Sequence, residues 1–112
     1  MPQPEAYEFF MGAGKIAPRW QNRVTVESME AGMYCDPTAF IQLISPVPLL
    51  MLVASDDIVT PTAVERKAFE RAGEPKRLIV VPGRHFDPYQ GPKHLEFVTP
   101  EIEWFERYLM AR

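Results

Sequence analysis

The chain has 112 residues, enough for one hydrophobic core and too few for two. A hydrophobic content of 46%, a charged content of 24% and a net charge of −3 with scattered basic residues fit a globular protein and speak against a nucleic-acid partner. No apolar run reaches the ~18–20 residues that cross a bilayer, no signal-peptide pattern opens the chain, and the single Cys35 forms no internal disulfide, so a cytoplasmic protein is expected.

In chain order, residues 1–4 hold two prolines and read as a lead-in. Glu5 to Ile16 places Tyr7, Phe9, Phe10, Met11 and Ile16 in an amphipathic helix weakened by Gly12 and Gly14. Pro18 breaks it. A second helix is expected from Arg23 to Tyr34, with Val26, Met29, Ala31 and Met33 as its apolar positions. Asp36-Pro37 has the order of a cap followed by the first helical residue, which predicts a short helix over 38–43. Ser45-Pro46-Val47-Pro48 is a stiff approach to a strand, because proline supplies no ladder donor.

Two apolar runs follow, Leu49 to Ala54 and Leu78 to Val81, and neither alternates polar with apolar. That is how a strand reads when both faces of a parallel sheet are covered, and it predicts strands over about 48–54 and 77–82. Between them Thr62 to Ala72 carries Val64, Ala68, Phe69 and Ala72 at helical spacing. Thr62 and Glu65 have the spacing of a capping box, and Gly73 reads as a left-handed stop. A right-handed crossover brings both strand ends to the same edge of the sheet. Neighbouring strands lie roughly 5 Å apart, so Asp57 and His85 can touch across the intervening helix.

Phe86-Asp87-Pro88-Tyr89 reads as a tight turn, Lys93 to Phe97 as a short helical piece, and 99–111 as a final helix with Ile102, Phe105 and Leu109 on one face. Glu103 and Arg107 have the spacing of an i,i+4 ion pair.

An acid and a histidine at the carboxyl ends of adjacent parallel strands lie where ligands bind in open α/β sheets. Asp57 accepting the Nδ1 proton of His85 would fix the tautomer of a general base, an arrangement that needs a nucleophile earlier in the chain. Phe86 and Tyr89 either wall a substrate pocket or pack beneath the turn. His85, Asp87 and His94 match no familiar metal-ligand spacing, and Gly83-Arg84 lacks the partners of a phosphate loop, so neither metal nor cofactor is expected. His94 is expected on an exposed helical face.

The stretches Pro48-Leu-Leu-Met-Leu-Val-Ala-Ser-Asp-Asp-Ile-Val-Thr-Pro61, Ala68-Phe-Glu-Arg71 and Glu74-Pro-Lys-Arg-Leu-Ile-Val-Val-Pro-Gly-Arg-His-Phe-Asp-Pro-Tyr89 resemble the C-terminal portion of an α/β-hydrolase. The likeness is to dienelactone-hydrolase and acyl-peptidase-like esterases and to thiohydrolases of polyketide pathways. Ala6-Tyr-Glu-Phe-Phe10, Trp20 and Asp36-Pro37 resemble the cap helices of such enzymes. The resemblance implies one domain over 1–112, with a cap-like helical segment over 1–45 and a C-terminal βαβα portion over 46–112. It also implies that Asp57 is the triad acid and His85 the triad base. The nucleophile elbow Gly-x-Ser-x-Gly is not found around Ser28, Ser45 or Ser55.

The expected protein is therefore the C-terminal part of a serine hydrolase acting on an ester or thioester, with two of the three triad members. A two-stranded remnant leaves unpaired backbone on a sheet edge, which recruits another chain. The expected partner is a second copy or an N-terminal hydrolase half supplied in trans. The alternatives are a non-catalytic dimerising or partner-binding remnant of the same fold, and a small enzyme that keeps only the Asp57–His85 dyad for general-base work on water or a bound substrate.

Overall fold

A computed structural model describes residues 3–110 of the chain. They form two compact units that meet in sequence between Ala39 and Phe40.

The first unit carries two helices. α1 spans Pro4–Ile16, one residue earlier than its apolar pattern suggests, because Pro4 occupies the first turn, where its missing N–H costs nothing. Residues 1 and 2 of the expected lead-in lie outside the described residues. Trp20 folds the following turn back onto α1: its ring stacks on Phe10 at 6.2 Å and lies beside Gly14, where a Cβ would meet it at an ordinary contact distance of 3.7 Å. α2 spans Val26–Tyr34, not 23–34. Its start is fixed by Thr25, whose hydroxyl accepts the Ser28 N–H at 3.1 Å, so Arg23 and Val24 stay outside the helix. Asp36 then accepts both the N–H and the hydroxyl of Thr38, and a 3₁₀ helix runs over Pro37–Ile44.

The second unit holds the sheet. β1 is Leu49–Ala54, β2 is Lys76–Val81, and the two pair in parallel with Leu49 opposite Lys76 and Ala54 opposite Val81. The crossover is α3, Thr62–Arg71. Because side chains alternate across a strand, the sheet has two apolar faces. Leu49 and Met51 meet Ile41, Ala68 and Ala72 on one; Leu52, Ala54, Ile79 and Val81 meet Phe97 on the other. The two unbroken apolar runs are thus explained by cover on both sides.

Three local expectations are corrected. Thr62 and Glu65 form no capping box: Pro61 is the cap residue, and the Thr62 hydroxyl instead donates to the Ala54 carbonyl at 2.6 Å, tying the helix start to the strand end. Gly73 is not a left-handed stop; α3 ends on Ala72 in extended conformation. Its glycine is needed for space, since a Cβ there would lie 2.6 Å from the Cβ of Ser45. Finally, the two expected C-terminal helical pieces are one helix, α4, His94–Phe105, with Pro100 inside it. Proline removes one backbone bond, but Phe97, 2% exposed against Ala54 and Val81, anchors the turn before it. A π-helical turn, Glu106–Met110, completes it; residue 111 lies outside the described residues. The wider turn places the Arg107 guanidinium over the Tyr108 ring and not against Glu103. Among the described residues no helix is long and apolar enough to cross a membrane.

Candidate active site

The carboxyl ends of β1 and β2 do not diverge after the strands stop. Ser55 donates its N–H to the Val81 carbonyl and Asp56 donates to the Gly83 carbonyl, each at 2.9 Å, so the ladder continues into both loops. The Gly83 N–H reaches Ser55 Oγ at 3.3 Å, and that hydroxyl donates to Asp56 Oδ2 at 2.7 Å. Two loops that would otherwise be mobile are thereby held in register.

This register brings Asp57 and His85 together. His85 Nδ1 lies 2.7 Å from Asp57 Oδ2. An ionised carboxylate only accepts, so Nδ1 carries the proton and Nε2 is left as the basic nitrogen of the neutral ring. The other Asp57 oxygen, Oδ1, accepts the backbone N–H groups of Val59 and Thr60, both at 2.8 Å. Three donors therefore converge on a carboxylate whose side chain is 5% exposed, while the imidazole is 22% exposed and open to a reactant.

The aromatic residues flank the ring. Phe86 meets the His85 imidazole edge to face, with centroids 4.7 Å apart, and Tyr89 lies 6.5 Å away at 60°. Phe86 is half-buried, and Tyr89 is 63% exposed. Both belong to the rim of the dyad.

Glu65, met in the sequence only as half of a capping box, belongs to this neighbourhood. Its Oε2 is buried with no hydrogen-bond partner among the described residues. Burial first, and the nearby Asp57 charge second, push its carboxyl above the ordinary value of 4.5, against an opposite pull from His85. No spacing rule could single it out, because its proximity to Asp57 depends on how α3 leaves the strand.

The other candidates have different partners. His94 is half-buried and not on an exposed face: its Nδ1–H donates to the Pro88 carbonyl at 2.6 Å. Asp87 Oδ2 accepts the Arg84 N–H at 2.9 Å. The serine hydroxyls are engaged as well: Ser45 donates to the Glu74 carbonyl at 2.7 Å, Ser28 pairs with Thr25 at 2.9 Å, and Ser55 holds Asp56.

No protein-family model matches the chain. The crystal structure of the α/β-hydrolase GrgF from Penicillium sp. sh18 matches it with a TM-score of 0.76 at 24% identity, covering 94% of this chain and 36% of that one. The architecture is thus that of the C-terminal portion of an α/β-hydrolase. Within that class the chain is similar to a polyketide transferase of Gibberella fujikuroi, 35% identical over 83 residues, which are 74% of this chain and 23% of that protein. A thiohydrolase of Eupenicillium brefeldianum is 26% identical over 87 residues, 76% of this chain and 28% of its own length. The chain spans roughly a fifth to a third of the curated relatives it matches.

Proposed function

We propose that the chain supplies the acid and the base of a serine-type acyl-transfer site, Asp57 and His85, acting on an ester or thioester. The single observation that carries this reading is the 2.7 Å bond between His85 Nδ1 and an Asp57 carboxylate whose second oxygen is held by two backbone N–H groups. Such a base takes the proton of a serine hydroxyl on Nε2 as the oxygen attacks the acyl carbon. It returns that proton to the departing alcohol or thiol, and repeats the transfer with water to release the acid. Asp57 keeps the ring oriented and stabilises the transient imidazolium. Phe86 and Tyr89 would contact the acyl group, and residues 1–45 would serve as the cap segment of a single domain.

The nucleophile must come from a segment bearing a Gly-x-Ser-x-Gly elbow, since none of the three serines here lies in one. The test is to co-express the chain with an α/β-hydrolase segment that carries the elbow and to assay an activated thioester. Turnover should require both pieces and should be lost in His85→Ala. Stable association of the two pieces with rates equal in the wild type and His85→Ala would overturn it.

A second reading, a dimerising or partner-binding remnant, draws on the unpartnered apolar surface of α2. That helix buries no residue, and Met29, Met33 and Tyr34 are 61%, 83% and 81% exposed. It predicts a stable dimer at micromolar concentration by analytical ultracentrifugation, without any dependence on Asp57 or His85.

A further inference from the structure

The segment between β2 and α4 is crossed by a second set of polar contacts that the acid–base pair does not use. The Arg84 N–H donates to Asp87 Oδ2 at 2.9 Å, and the Asp87 N–H donates back to the Arg84 carbonyl at 3.1 Å, closing a tight ring around His85. Lys93, just before α4, reaches back 11 positions to donate its Nζ to the Pro82 carbonyl at 2.9 Å, and the same nitrogen lies 3.9 Å from Asp87 Oδ2. The ammonium thus joins the two ends of the loop, where the chain leaves β2 and where it enters α4. Gly83 is buried, and a Cβ there would stand 2.7 Å from Asp87 Oδ2, so the carboxylate sits hard against the backbone it organises.

We propose that Asp87 and Lys93 are positioning residues: a carboxylate–ammonium clamp that fixes the His85 backbone and so keeps the imidazole on Asp57. The inference rests on the reading of Asp57 and His85 as acid and base. It also gives Asp87 a definite task, which the turn at Phe86–Tyr89 by itself would not require. An Asx-type ring alone would order the turn locally. The lysine extends that order to both loop ends through its charge-assisted bond to the Pro82 carbonyl at 2.9 Å, which the half-exposed ion pair with Asp87 at 3.9 Å supplements. A half-buried imidazole on an unclamped loop would sample rotamers in which Nδ1 faces water.

The test uses the intact chain and needs no turnover. ¹H–¹⁵N spectra of the histidine side chains, assigned with His85→Gln, should show His85 in the Nδ1–H tautomer with a slowly exchanging, strongly downfield proton. Asp87→Ala and Lys93→Met should each speed exchange of that proton by about tenfold or collapse the signal into averaged tautomers. Asp87→Asn, which keeps an acceptor for the Arg84 N–H, should retain much of it. Ile41→Val, a core change of similar or larger effect on stability far from the loop, should leave it unmoved. A signal that survives both Asp87→Ala and Lys93→Met unchanged overturns the clamp alone. A wild-type chain without the signal overturns the acid–base pair and the clamp together.

Discussion

Ser55 and Gly83 face each other across the two loops that end the strands, the Gly83 N–H bound to Ser55 Oγ at 3.3 Å. This contact is one rung beyond the sheet, and it sets the spacing at which Asp57 and His85 meet two residues further on. The site is therefore built on an extension of the β ladder.

In a completed enzyme, replacing His85 by Ala should lower kcat about 10⁶-fold while leaving the fold intact. Asp57→Asn should cost less, about 10⁴-fold, because the amide can offer its NH₂ to Nδ1 and so stabilise the wrong tautomer. Asp57→Ala should in addition destabilise the chain by about 1–2 kcal/mol, since the Val59 and Thr60 N–H groups lose their acceptor. Stopped-flow assays and urea midpoints on the same preparations separate the two effects.

Gly83→Ala should destabilise by about 1–3 kcal/mol, through the 2.7 Å approach of the new methyl to Asp87 Oδ2. Gly12→Ala provides the contrast: it meets nothing within 4 Å and lies within α1, so it should stabilise by about 0.5–1 kcal/mol. Thermal melts of the two variants should shift in opposite directions.

Lys76 begins β2 but serves α3. Its Nζ donates to the Phe69, Glu70 and Ala72 carbonyls at 3.0, 3.2 and 2.7 Å and lies 4.8 Å from the Phe69 ring centre. Those carbonyls lie at the C-terminal end of α3, where a cation is favoured. Lys76→Met, which keeps the stem, should cost about 1–3 kcal/mol in chemical denaturation, and Arg77→Met, on the exposed neighbour, under about 0.5 kcal/mol.

Glu65 should make stability pH-dependent in a definite sense. With its carboxyl raised by burial and by Asp57, the folded chain keeps that proton to higher pH than the unfolded chain does. Folding is then penalised as pH rises from 4.5 through the folded value, and the penalty is fully present above it. Glu65→Gln should therefore be more stable than the wild type at about pH 7, with the difference shrinking toward zero as pH falls to about 4. Urea midpoints at the two pH values check this; a gap that widens in acid would show the opposite sign.

The apolar runs, their length, the helical stripe between them and the acid and histidine beyond their ends are one-dimensional patterns, and they determined that β1, α3 and β2 form a parallel crossover unit. The bounds of the helices were less legible, because a cap is a hydrogen bond and not a residue type: Thr25 forms one and Thr62, equally suited by spacing, spends its hydroxyl on Ala54. Tertiary packing alone decided that α4 runs through Pro100, because burial of Phe97 outweighs one missing backbone bond. It also decided which polar side chains surround the dyad. Asp87, Lys93 and Glu65 acquire their positions from the way the β2–α4 loop closes and α3 leaves the strand, and no residue pattern records where a side chain will find its partner.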